Sequence, residues 1–321
     1  MVIVLNIIFI LFLSFLLVKA TDILVTNFAS LSGKTRLSKF ALTGLVLGLA
    51  TSLPEFFVGI TSAFEGEAIL SLGNIIGANI ANISLVIGGA ALIGGSVFVR
   101  DSFLRRDVFY AFLAATSPML LLADKNLSRV DGIILIILYG FYQILVFNEH
   151  PYHSLSKEPY HQKVLRKIKI GGGKKELAWI FLGIALMLFA SDALVKIAVK
   201  LALSFNLPLL LIGLLIVSLG TTLPELIFGI EALRKKQSTM VFGNLLGSIV
   251  ANGTLIIGLA ALISPIRIQS INNYLSSTMA FLGIFIIFYL FMRTKKRLDR
   301  WEGGALLFFY LIFVFLEFKF F

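Results

Sequence analysis

The chain has 321 residues, no cysteine, 58% hydrophobic residues, a mean hydropathy of +0.97 and a formal net charge of +11. A soluble domain is typically about 45–50% apolar, so long uncharged runs at this composition predict an integral membrane protein. The missing cysteines exclude disulfides and thiolate metal sites. The positive charge sits in short loops between apolar runs, which is a topology signal and not a nucleic-acid surface.

Ten apolar segments follow one another, at roughly 3–29, 40–64, 68–92, 105–123, 130–148, 177–203, 207–233, 239–263, 273–292 and 302–320. Each is long enough for a helix to cross a hydrocarbon core about 30 Å thick. Run lengths of this size fit helices rather than barrel strands, the only other way to close backbone hydrogen bonds in lipid. The first run is expected to be a retained span and not a signal peptide, because Met1-Val2-Ile3-Val4 offers no basic start.

The loops after segments 1, 3, 5, 7 and 9 carry 21 Lys and Arg, against 6 on the opposite side. The positive-inside rule places the first set in the cytoplasm and both termini outside, in a plasma or inner membrane. The longest loop, 149–176, holds Lys157, Lys163, Arg166, Lys167, Lys169, Lys174, Lys175 and Gly171-Gly172-Gly173. It reads as a flexible cytoplasmic linker between a first five-helix unit, 1–148, and a second, 177–321. His150, His153 and His161 fall in this linker without fixed spacing and read as solvated.

The two units repeat. A shift of 170 places Asp22 on Asp192, Pro54 on Pro224, Glu55 on Glu225, Gly73 on Gly243, Asn74 on Asn244, Gly77 on Gly247 and Asn82 on Asn252. Between 45 and 90 there are 17 identities in 46 ungapped positions. Five spans per unit is an odd number, so the second unit must enter the membrane inverted relative to the first. The expected fold is all-α, with ten transmembrane helices in two inverted five-helix repeats.

Each repeat puts a carboxylate in an apolar run: Thr51-Ser52-Leu53-Pro54-Glu55 and Thr221-Thr222-Leu223-Pro224-Glu225. A charge at the bilayer centre costs about 2.5–3.5 kcal/mol on insertion scales, so such residues face a protein interior and usually carry function. Pro54 and Pro224 lack an N–H and clash with the carbonyl four residues back. They predict kinks that free carbonyls near 48–50 and 218–220. The companion segments are Gly73-Asn74-Ile75-Ile76-Gly77-Ala78-Asn79-Ile80-Ala81-Asn82 and Gly243-Asn244-Leu245-Leu246-Gly247-Ser248-Ile249-Val250-Ala251-Asn252. Their small residues at i and i+4 let helices approach closely. All donors offered are hard oxygens, which select Ca²⁺, Na⁺ or H⁺ over softer metals.

At these residues the chain resembles the cation/calcium antiporter superfamily, the sodium/calcium exchangers and their relatives. The resemblance rests on the two copies of the Pro-Glu and Gly-Asn segments, with equal internal spacing, in both halves. It implies helices 2, 3, 7 and 8, broken around a central ion site, and alternating access. It further implies Glu55 and Glu225 as principal Ca²⁺ ligands, with Thr51, Ser52, Thr221, Thr222, Asn82, Ser248 and Asn252 as supporting ligands for Ca²⁺ or Na⁺.

Two positions depart from the sodium-coupled pattern. Many sodium/calcium exchangers carry an acid where this chain has Asn252 and a serine where it has Ala78. Two carboxylates neutralise one Ca²⁺, two Na⁺ or two H⁺, and a third Na⁺ leaves uncompensated charge in a low dielectric. The expected activity is therefore Ca²⁺ export in exchange for Na⁺, with Ca²⁺/H⁺ exchange as the alternative. A passive cation channel using the acids as a filter is the alternative of another class. The expected partners are the bilayer and inorganic cations.

Other polar residues read more plainly. Asp22 and Asp192 suggest helix-packing hydrogen bonds near the outer ends of their spans or within them. Asn74 and Asn244 are balanced between ligation and packing, and Asn79, opposite Ile249 in the repeat, is read as packing or partial pore lining. Glu65 and Glu67 read as solvated, and the phenylalanines, such as Phe308, Phe309, Phe313 and Phe315, as lipid-facing or packing. There is no phosphate-binding Gly-rich loop, nucleophile–base pair or hydride-cofactor fingerprint, so neither enzyme chemistry nor a cofactor is expected.

Overall fold

The computed structural model describes residues 2–33, 51–98, 101–149, 174–234, 238–268 and 271–320. Most of the linker with its three histidines, the first half of the second predicted span and the carbonyls of 48–50 lie outside these residues. Where described, every predicted span is helical. The first half holds α1 (Val2–Gly33), α2 (Leu53–Phe64), α3 (Ala68–Ala81), α4 (Ile87–Gly94), α5 (Asp101–Leu121) and α6 (Arg129–Glu149). The second holds α7 (Lys174–Phe205), α8 (Leu209–Ile212), α9 (Ser218–Thr221), α10 (Leu223–Arg234), α11 (Ser238–Val250), α12 (Ile257–Ile263), α13 (Ile271–Lys295) and α14 (Arg300–Phe320).

Among the described residues, seven helical stretches are long and apolar enough to cross a membrane. Their outward surfaces carry Phe181, Phe189, Phe308 and Phe315, and that of α1 carries Phe12 and Phe15, all exposed, which matches a lipid-facing belt. Phe313, in contrast, is buried in the core.

Short π-helical turns interrupt three of these stretches, at Asn82–Val86, Gly213–Val217 and Ala251–Ile256. In each, a carbonyl is taken by the N–H five residues on: Ile87 on Asn82, Ser218 on Gly213 and Ile257 on Asn252. Such turns insert one residue into a helix and are frequent at functional sites. Two of the three begin at the repeat-paired asparagines or one residue before.

The two halves interdigitate. Helix α3 lies against α8 and the 213–217 turn, α4 against α10 and α14, and α1 against α7. A main core runs through α3 to α6 and α10 to α14, while a second apolar cluster joins α1 to α7. The close approach expected at the small residues is present in the first segment, where a Cβ on Gly73 would stand 2.2 Å from the Leu210 carbonyl oxygen and one on Gly77 2.0 Å from that of Leu214, but not at Gly243, where a Cβ would meet no atom within 4 Å. Any larger residue at Gly73 or Gly77 pushes against backbone that cannot swing aside.

Two short antiparallel ribbons tie the halves crosswise. Strand β1 (Val97–Phe98) pairs with β4 (Arg297–Leu298), and β2 (Asn126–Leu127) with β3 (Ile266–Arg267). Under the 170-residue shift β1 corresponds to β3 and β2 to β4, so each half lends one strand to each ribbon. Helices α1 and α7 run antiparallel, with Gly183 against Ala20 and Leu24, and Lys175 and Trp179 beside Asp22 and Asn27.

Candidate acidic ion site

The proline motif breaks the helix in the second half as expected. Helix α9 stops at Thr221 and α10 restarts at Leu223, with Pro224 in its first turn. The Ser218 carbonyl accepts from the Thr222 N–H at 3.0 Å, from the Thr222 hydroxyl at 2.8 Å and from the Thr221 hydroxyl at 3.2 Å. In the first half α2 likewise begins at Leu53, with Pro54 in its first turn.

These breaks set Glu55 and Glu225 on the first turns of α2 and α10, both with 0% exposure. The two carboxylates are close enough for their charges to act on each other. Their neighbours come from opposite halves: Thr221 stands beside Glu55, and Thr51 and Ser248 beside Glu225. All four carboxylate oxygens are fully buried without a hydrogen-bond partner, and neither acid pairs with a Lys, Arg or His among the described residues.

The threonines are already committed. Thr51 donates to Asn244 Oδ1 at 2.9 Å and touches the Ser248 hydroxyl at 3.3 Å. Thr221 has Asn74 Oδ1 at 3.1 Å and the Ser218 carbonyl at 3.2 Å as two acceptors that share its one proton. A hydroxyl has one proton. With that proton turned to an asparagine, the threonine presents lone pairs to the carboxylate, and two such oxygens attract each other only through a positive charge between them.

Asn82 and Asn252 have no exposed surface and lie at the start of π turns that pack against α10 and α2, the helices that carry the two acids. Both amide atoms of Asn82 are unpartnered, whereas Asn252 Nδ2 donates to Asn79 Oδ1 at 3.1 Å and leaves Oδ1 unpartnered. Thr51, Thr221, Ser248, Glu55 and Glu225 are thus brought together. Thr222 turns elsewhere, held on the Ser218 carbonyl, while the Ser52 hydroxyl is buried and has no hydrogen-bond partner among the described residues. Asn74 and Asn244, evenly balanced in the sequence, prove to be the partners of the two threonines. The signal that marks them is their exact pairing under the repeat.

Asp22 and Asp192 do not make the expected interhelical bonds. Each is exposed and pairs on its own helix, Asp22 with Lys19 at 4.0 Å and Asp192 with Lys196 at 2.8 Å. Asp22 is beside Lys175 and Glu176 of α7, and Lys196 reaches Glu65 in the turn after α2 at 3.7 Å.

Apolar helices around a buried, oxygen-lined acidic centre define a multi-pass membrane protein built to handle cations. The chain belongs to the sodium/calcium exchanger protein family, whose model matches residues 5–148 and 175–319, and with it to the cation/calcium antiporter superfamily. It is 25% identical to the sodium/calcium exchanger MaX1 of Methanosarcina acetivorans over 93% of this chain and 94% of that protein. It is 32% identical to the inner membrane protein YrbG of Escherichia coli over 68% of each chain. A solved structure of the sodium-calcium exchanger NCX_Mj, soaked with Na⁺ and Sr²⁺, has the same fold, with a TM-score of 0.65 and 23% identity over 97% of each chain. This is a family of exchangers and not of catalytic enzymes.

Proposed function

We propose that the protein is a secondary antiporter that exports Ca²⁺ in exchange for Na⁺, and that Glu55 and Glu225 carry both loads in turn. The observation that carries the reading is the set of four buried carboxylate oxygens left without a hydrogen-bond partner or a basic group among the described residues. Burying an unpaired ion costs several kcal/mol even after relaxation, so the site requires positive charge from its cargo. Thr51, Ser52, Thr221, Ser248, Asn82 and Asn252 supply neutral oxygens around that charge, and Thr222 joins only if its hydroxyl turns.

Competition follows from charge. Either load neutralises the two acids and lets the loaded site pass between inward- and outward-open forms, while the empty, doubly charged site resists passage. Two acids balance one Ca²⁺ against two monovalent ions. Exchange is then electroneutral, and protons are the second candidate for the counter-ion.

Ten spanning helices in two inverted repeats are part of this reading. The crosswise ribbons, the antiparallel α1–α7 pair and the reciprocal Thr51–Asn244 and Thr221–Asn74 bonds support it.

The test is ⁴⁵Ca²⁺ flux in proteoliposomes with Na⁺ and H⁺ gradients varied independently. Uptake that requires a trans Na⁺ or H⁺ gradient and ignores membrane voltage is the expected result. Uptake that needs no counter-ion makes the protein a channel, and voltage-driven uptake at three Na⁺ per Ca²⁺ overturns the electroneutral form.

A further inference from the structure

We infer that Asn79 is a positioning residue that fixes which end of the Asn252 amide faces the cation, and so makes the two halves of the site inequivalent. The inference rests on the cation-site reading above and adds a role for a residue outside the ligand set.

A carboxamide has two unlike ends. Its oxygen accepts and can bind a cation, while its NH₂ only donates and repels one. An asparagine among cation ligands must therefore be held the right way round, and the two orientations nearly coincide in shape. At Asn252 the choice is made by a neighbour: Nδ2 donates to Asn79 Oδ1 at 3.1 Å, which leaves Oδ1 buried, unpartnered and available. Asn79 is itself 97% buried, so it has no alternative solvent role (its exposure is 3%).

The repeat supplies an internal control. The counterpart of Asn252 is Asn82, equally buried and also at the start of a π turn. The counterpart of Asn79 is Ile249, which cannot accept a hydrogen bond. Accordingly Asn82 has neither amide atom partnered among the described residues. One amide is locked as an acceptor and the other is free to turn. Asn252 is then the fixed ligand, and Asn82 the one that rotates to follow the ion.

The orientation argument has a distinctive signature. A carboxylate has two equivalent oxygens, so an Asn252→Asp protein offers an acceptor whichever way the group lies. Dependence on Asn79 should then vanish. The experiment measures half-saturating Ca²⁺ for transport, and the Ca²⁺-induced rise in melting temperature of the purified protein, for Asn79→Ile, Asn252→Asp and the double variant. Asn79→Ala replaces Asn79→Ile if the isoleucine protein does not fold. Loss of Asn79 should raise half-saturating Ca²⁺ about fivefold in the native background, the weight of one hydrogen bond. In the Asn252→Asp background the change should be less than about twofold, on the same hydrogen-bond scale.

Equal losses in both backgrounds, or no loss in either, overturn the inference, because a packing role does not depend on the symmetry of residue 252. The Glu55→Gln/Glu225→Gln protein separates the two levels of failure. If neither Ca²⁺ nor Na⁺ stabilises the native protein more than this variant, the cation-site reading falls and takes the inference with it. If cations stabilise the native protein selectively and the double-variant pattern is absent, the site stands and only the role of Asn79 is refuted.

Discussion

The Thr51 hydroxyl donates to Asn244 Oδ1 at 2.9 Å, across 193 positions of sequence and from one half of the chain to the other. Its repeat-related counterpart, Thr221 to Asn74 at 3.1 Å, runs the opposite way. Each half thus orients a hydroxyl of the other, and the acid beside that hydroxyl belongs to yet another element of the crossing pair.

Asn244→Ala and Asn74→Ala should each weaken Ca²⁺ handling without removing an acid. A lone hydrogen bond is worth about 0.5–1.5 kcal/mol net, so half-saturating Ca²⁺ should rise about 2- to 12-fold. The freed threonine proton would then turn to the carboxylate and compete with the ion. Concentration-dependent ⁴⁵Ca²⁺ uptake checks this, and unchanged affinity in both variants refutes the orienting role.

Glu55→Gln and Glu225→Gln should separate activity from stability. Each removes a buried charge that lacks a counter-charge among the described residues. Breaking off such a charge relieves its desolvation penalty of several kcal/mol. Melting in cation-free buffer should therefore move up by a few degrees, on the order of 2–4 °C per kcal/mol for a large domain. Ca²⁺-dependent stabilisation and transport should disappear together. A lower melting temperature with retained transport is the opposite outcome.

The β1–β4 ribbon should respond to acid through Asp299. The Lys295 ammonium hydrogen-bonded to it at 3.1 Å, then Arg297 and Ser96, hold its carboxyl below the usual carboxylate range. A group whose folded value is depressed stabilises the fold above its unfolded value, about 3.9, and that contribution is lost as pH falls through the lower folded value. The melting-temperature gap between the native protein and Asp299→Asn should be constant above about pH 5 and shrink below about pH 4. A gap that does not change with pH assigns the ribbon's stability to its backbone pairing instead.

Much of this protein is legible in one dimension. Apolar run length places the helices because a helix must satisfy its own backbone in lipid, and Leu, Ile and Phe runs leave no alternative. The 170-residue repeat pairs Glu55 with Glu225 and marks Asn74 and Asn244 as special. Pro224 fixes the break between α9 and α10, since a missing N–H is a local fact. What the sequence could not set is rotation and depth. Whether Thr51 or Ser52 turns toward the acids depends on which helix packs against that face, and that helix comes from the other half. The π turns at Asn82 and Asn252 add a residue to the helical phase, an event that apolar periodicity does not register. Asn79 has no repeat partner, so only its 3.1 Å contact with Asn252 reveals a role. Composition and spacing determined a membrane protein with two buried acids. The tertiary crossing of its halves decided which oxygens meet there, because hydrogen bonds between segments far apart in sequence are made by packing and not by neighbours.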